Sequence, residues 1–176
     1  MTNSNPPPPD QRAITAYNRM MERVKSALDG AEQQTLTTLR QGVEKAADVA
    51  EQLGELTRDE AQKIAAWLQR DLHDAGEYLA NSGSDLRSWL RFDVELIEDR
   101  LLELFSSVAD RTRLEWLELA QRAQREPEYH SGEITGPGTL LCQACGQEVP
   151  FHSTGHIPPC PNCQGTVFMR ADEREG

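Results

Sequence analysis

The sequence predicts a mainly α chain: an elongated antiparallel helical bundle or coiled coil, followed by a small β module. Three observations predict it. Apolar residues recur at spacings of three and four from Ile14 to Val108. Aromatic residues make up only 6% of the chain, which suits Leu/Ala/Val seams better than a β-rich core. All four cysteines fall in the last fifth of the 176 residues, where the helical period is lost and turn formers accumulate.

The elements follow in order. Residues 1–10 carry four consecutive prolines and read as a disordered arm. From Gln11 to Gln52 two heptad-like runs, Ile14 to Ala31 and Leu36 to Leu53, predict one long helix with a kink or change of winding near Gly30. Gly54 is placed to end it, and "TRDE" from Thr57 to Glu60 has the spacing of a capping box. The next helix presents Ala61, Ile64, Leu68, Leu72, Ala75 and Leu79. "NSGSD" breaks the pattern, with Ser84 as the following N-cap. A third helix carries Leu86 to Val108. "TRLE" from Thr112 opens a fourth with Leu114, Leu117 and Ala120. The helical domain is thus 11–126, the stretch 127–138 a connector, 139–170 the β module, and 171–176 a disordered tail.

The cysteines form two C-x2-C pairs, Cys142/Cys145 and Cys160/Cys163. Two residues between thiols bring both sulfurs to one point, and two such turns complete a four-sulfur metal shell. Gly146 and Gly165 help the backbone turn around the sulfurs. Val149 and Phe151 alternate as in a strand, and "GTVFMR" offers another. Strand, knuckle, strand, turn, knuckle, strand is the plan of a zinc ribbon, whose folding deficit one structural Zn²⁺ supplies. A tetrahedral four-sulfur site also suits iron. His152 and His156 read as bystanders, and His73 as a surface residue. Tyr129, His130 and Glu133 form a polar cluster near the module, read as local packing and turn hydrogen bonds.

These features bear on function by exclusion. The formal charge is −11, and residues 138–170 hold one Arg, one Glu and no Lys, a weak footprint for nucleic acid or anionic membranes. No apolar run is long enough to span a bilayer, and the N-terminus lacks a signal-peptide pattern, so a cytoplasmic protein is expected. Four thiolates leave no open position for a catalytic water, so the chain is read as non-enzymatic. The expected role is an adaptor with protein partners, and self-association through the helical seams. The alternative is a nucleic-acid-binding or regulatory ribbon, and after it a rubredoxin-like iron electron carrier.

The helical body, the stretch "EYHSGEITGPGTLLCQACG", "CPNC" and the short end together resemble the zinc-ribbon-containing family of unknown function found in proteobacteria. The resemblance runs from about Ala16 to Arg170. It implies Cys142, Cys145, Cys160 and Cys163 as zinc ligands and a cytoplasmic location, and it implies no established activity.

Overall fold

The computed structural model describes residues 8–82, 99–112 and 128–171. The proline arm up to Pro7, the Ser84 cap, Leu86 to Ile97 of the third stripe, the fourth helix and the tail from 172 onward lie outside the described residues.

Helix α1 spans Pro9–Asp29, α2 Leu36–Gln52, α3 Arg58–Ser82 and α4 Asp99–Arg111. α1 begins two residues before the expected start at Gln11, because Pro9 at the first helical position gives up no needed N–H. The long helix expected over 11–52 is instead two helices joined by a turn. Thr35 is the cause. Its hydroxyl accepts the Thr38 N–H at 3.1 Å and starts α2 afresh, while the Gln34 side chain donates to the Leu28 carbonyl and closes α1. The five-residue step between Ala31 and Leu36 is therefore a helix boundary. Gly30 sits in the right-handed region and is not needed for its backbone angle.

The α2–α3 turn follows the sequence signals. Gly54 is left-handed at φ 67°, and Glu55 and Gly54 N–H groups return to the carbonyls of Ala50 and Glu51. At α3 the Thr57 hydroxyl accepts from Glu60 N–H, and the Glu60 carboxylate accepts from Thr57 N–H. Glu55, between the two helices, is gripped by Arg23 through two bonds of 2.8 and 2.9 Å and by Arg19 at 3.2 Å. At the far end of α4, the Thr112 hydroxyl donates back to the carbonyls of Val108 and Ala109.

The seams close on one another within the chain. Tyr17, Met21, Val24 and Leu28 of α1 meet Leu39, Val43, Ala46 and Ala50 of α2, Ile64, Leu68 and Leu72 of α3, and Phe105 and Val108 of α4. No described helix is long and apolar enough to cross a membrane.

Six short strands follow: β1 Tyr129–His130, β2 Ile134–Thr135, β3 Gly138–Cys142, β4 Glu148–Phe151, β5 Gly155–His156 and β6 Val167–Arg170. They form an antiparallel sheet ordered β1-β6-β3-β4 and a separate β2–β5 pair. The stretch read as a connector over 127–138 therefore supplies two strands. Tyr129 pairs with Phe168 and Ile134 with His156. The ribbon has its own core of Tyr129, Leu140, Cys142, Phe151, Ile157, Cys160 and Phe168. One ribbon residue, Ile134, instead joins the helical core.

Candidate metal centre and the seam beneath it

Each C-x2-C pair closes a turn with the same hydrogen bonds. Gly146 N–H donates to the Cys142 carbonyl at 2.8 Å, and Gln164 N–H to the Cys160 carbonyl at 2.9 Å. Cys142 N–H reaches Gln147 and Cys160 N–H reaches Gly165, again equivalent positions. The residue after each pair is left-handed, Gly146 at φ 71° and Gln164 at φ 61°. So the partner of Gly146 is Gln164, not Gly165. Gly165 is small for another reason: a Cβ there would lie 3.1 and 3.2 Å from the sulfurs of Cys142 and Cys163.

The two turns bring all four sulfurs within 4.8 Å of one another. Cys142 Sγ lies 3.5 Å from Cys163 Sγ, and Cys145 Sγ 3.6 Å from Cys160 Sγ. A tetrahedron with metal–sulfur bonds of about 2.3 Å has edges of about 3.8 Å, so the spacing fits one metal ion. It does not fit disulfides, whose sulfurs are about 2.05 Å apart. Gly165 N–H points at Cys163 Sγ at 3.4 Å. Hydrogen bonds from the Asn162 side chain and Gln147 N–H lower the Cys145 thiol to about 6. For Cys163 the Gly165 N–H also pulls downward, but its bonds to Cys145 and Cys142 outweigh it and push the thiol up to about 12. Cys145 and Cys163 thus hold their protons unequally, and a bound divalent cation would displace them. Cys142 and Cys160 are buried, while Cys145 and Cys163 are exposed. His152 and His156 stand outside this group. His156 faces the carbonyls of Gly132 and Asp10, and His73 faces Glu77 on its own helix.

At the other end of β6 the ribbon meets the helices through charge. Asp71 of α3 is fully buried. One of its oxygens accepts from Tyr17 Oη at 2.6 Å, Gly136 N–H at 2.8 Å and Thr135 Oγ1 at 3.2 Å. The other accepts two bonds of 3.2 Å from the guanidinium of Arg70. Arg170 of β6, also buried, donates to Thr135 Oγ1 and Tyr129 Oη at 3.1 and 3.0 Å and lies 3.7 Å from Asp71 and 3.8 Å from Asp74. Tyr129 in turn donates to Asp74, and its ring is flanked by the guanidinium groups of Arg70 at 3.8 Å and Arg170 at 4.7 Å. Arg70 also pairs with Glu133 and donates to the Ile134 carbonyl at 3.0 Å. Burial, and then the Asp71 charge, hold the Tyr17 hydroxyl well above its ordinary pKa.

Of the polar cluster expected around Tyr129, His130 and Glu133, two members join this seam. His130 lies at the surface near Glu128 and Glu133. Asp71, Asp74, Arg70 and Arg170 were not singled out by sequence. A signal existed. Ala61, Ile64, Leu68, Asp71, Ala75 and Tyr78 keep a strict three–four alternation, so Asp71 occupies a core position of its stripe.

The comparisons with known proteins agree with this picture. A family model described as a zinc-ribbon containing domain matches residues 26–172. The chain is 31% identical over 129 residues to Uncharacterized protein YbeL of Escherichia coli K12, and equally so to the same-named proteins of strains O6:H1 and O157:H7. The match covers 73% of this chain and 79% of each relative. No solved structure matches it. With a helical body, a sheet carrying paired knuckles and four clustered thiols, the chain belongs to the zinc-ribbon containing family.

Proposed function

We propose that this protein is a non-enzymatic, zinc-binding adaptor, with Cys142, Cys145, Cys160 and Cys163 holding one structural Zn²⁺ and the ribbon presenting a rigid surface to a protein partner. The observation that carries the reading is the gathering of four thiols, and among the described residues no other donor type, within 4.8 Å. Four sulfurs fill a tetrahedral shell, so the ion would organise the backbone and offer no site to a substrate. Its role is to complete a ribbon whose seven-residue core is too small to fold alone. Because most of the described seam residues of α1, α2 and α3 pack on one another, the reading assigns partner contact to the ribbon in preference to self-association. A cytoplasmic setting, where thiols stay reduced, belongs to the same proposal.

Metal analysis of the protein purified without added metal tests the first half. One zinc per chain and a colourless solution are expected. A red protein with iron would make it an electron carrier instead. The second half is tested by nuclease-treated capture of partners by wild type and Cys160→Ser. A protein retained only by the wild type supports the adaptor. Capture that vanishes with nuclease would transfer the reading to nucleic acid.

A further inference from the structure

Among the described residues there are two hydrophobic cores, and a polar seam lies between them. Seven buried ribbon residues, Tyr129 to Phe168, pack into a core of their own, and Ile134 joins the helical one. Among the described residues, the contacts between the units centre on Asp71, Asp74, Arg70, Arg170, Tyr129 and Tyr17, with Phe105 against Gly136 beside them. Outside that cluster, Thr154 Oγ1 donates to Asn18 Oδ1 at 2.7 Å, and His156 meets the Asp10 carbonyl. Buried ion pairs of this kind are geometrically exacting, yet their attraction roughly cancels the cost of stripping water from the charges. Such a seam holds only while both sides keep their shape.

The ribbon's shape depends on the thiols. Cys142 and Cys160 are members of its core. β3 runs from Gly138 to Cys142, and β6 runs from Val167, after the second knuckle, to Arg170, with Phe168 to Arg170 paired to Cys142 to Leu140 of β3. The two strands are therefore direct struts between the sulfurs and the charges. Gly136, just before β3, is wedged so tightly that a Cβ would lie 2.5 Å from the Phe105 ring. One thiol of each knuckle is exposed, so the sulfur cluster is reachable from solvent.

We propose that metal occupancy latches the ribbon to the helices, so that loss of zinc withdraws Arg170, Tyr129 and Gly136 from Asp71, Asp74 and Phe105 and uncovers an acidic, aromatic face of α1, α3 and α4. The inference rests on the zinc reading above.

Hydroxyl-radical footprinting of the full-length protein tests it, with zinc bound, after chelation, and after zinc is restored. Chelation should raise oxidation of Tyr17 and Phe105 several-fold and restored zinc should reverse it, while Val24, Leu28 and Val43 inside the helices stay protected. Zinc-loaded Arg170→Gln should expose the same two aromatics without losing metal. Unchanged protection after chelation overturns the latch, as does unchanged protection in Arg170→Gln. Equal exposure of Val24, Leu28 and Val43 also overturns it, since the metal would then hold the whole chain folded. Zinc content of the same samples separates the two readings. A chain that takes up no zinc refutes the metal assignment, whereas a zinc-bound chain indifferent to chelation refutes the latch alone.

Discussion

The Asp71 carboxylate accepts the backbone N–H of Gly136 at 2.8 Å across 65 residues of chain. A helix side chain thus fixes the ribbon's main chain directly, at a point where no side chain of residue 136 could fit.

Asp71→Ala should be strongly destabilising. It removes the acceptor of Tyr17, Thr135 and Gly136 and leaves Arg170 buried beside fewer anions. A loss of about 3–5 kcal/mol is expected, as for breaking a buried pair from one side. Denaturant unfolding with zinc present measures it. A loss below about 1 kcal/mol, the range of surface pairs, would contradict the central role of this carboxylate.

Gly136→Ala should cost about 1–3 kcal/mol through overpacking. The added carbon would stand 2.5 and 2.8 Å from two atoms of the Phe105 ring. Phe105→Leu removes those atoms. In the double variant the Gly136→Ala penalty should shrink by at least about 0.5 kcal/mol, the threshold for coupled neighbours. Strict additivity would place the strain elsewhere.

Asp74 makes the seam sensitive to pH. Burial raises it to about 7; Arg170 and the Tyr129 hydroxyl pull it down, Asp71 pushes it up and Arg70 opposes. The unfolded group titrates near pH 4, so between about pH 4 and 7 the folded chain binds more protons than the unfolded one. The stability contributed by this group is full below that window and is lost as pH rises through it. Asn mimics the protonated acid. The stability of wild type relative to Asp74→Asn should therefore fall between pH 4.5 and 7.5. Comparing the two also cancels the opposite trend from thiolates, which bind metal better as pH rises. Parallel curves would show that Asp74 stays ionised throughout.

The knuckles differ in one residue that matters. Gln164 holds a left-handed conformation that its partner Gly146 adopts freely. Gln164→Gly should raise stability of the zinc form by up to about 1 kcal/mol, and Gly146→Ala should lower it by about 1–2 kcal/mol. Competition for zinc against a chromogenic chelator would read both changes. Equal losses from both would mean that the Gln164 side chain, which donates to the Cys160 carbonyl at 3.3 Å, contributes more than the strain costs.

Much of this was readable in advance where the cause is local. The thiol pairs, the Thr57/Glu60 box and Gly54 each act over a few residues, and each sits where its spacing places it. The α1–α2 break was missed because its signal is a Thr35 cap without an acidic third residue. The seam was missed for a different reason. Within "RDLHDAG" the two aspartates look like a solvated face, and apart from Arg70 their partners lie 54 to more than 90 residues away. Only the position of Asp71 within the apolar stripe marks it, and Leu72 next door hides that by offering a plausible alternative register.

Chain order gives the seam a history in time. Asp71 is made roughly 100 residues before Arg170, which at about 5–20 residues per second is an interval of some 5–20 seconds during synthesis. Until Thr135 and Gly136 are made the carboxylate has Tyr17 and Arg70 but none of its ribbon donors, and for the rest of the interval it lacks Arg170. The helices thus leave the ribosome carrying an unfinished charged face, and the last strand to emerge is the one that closes it.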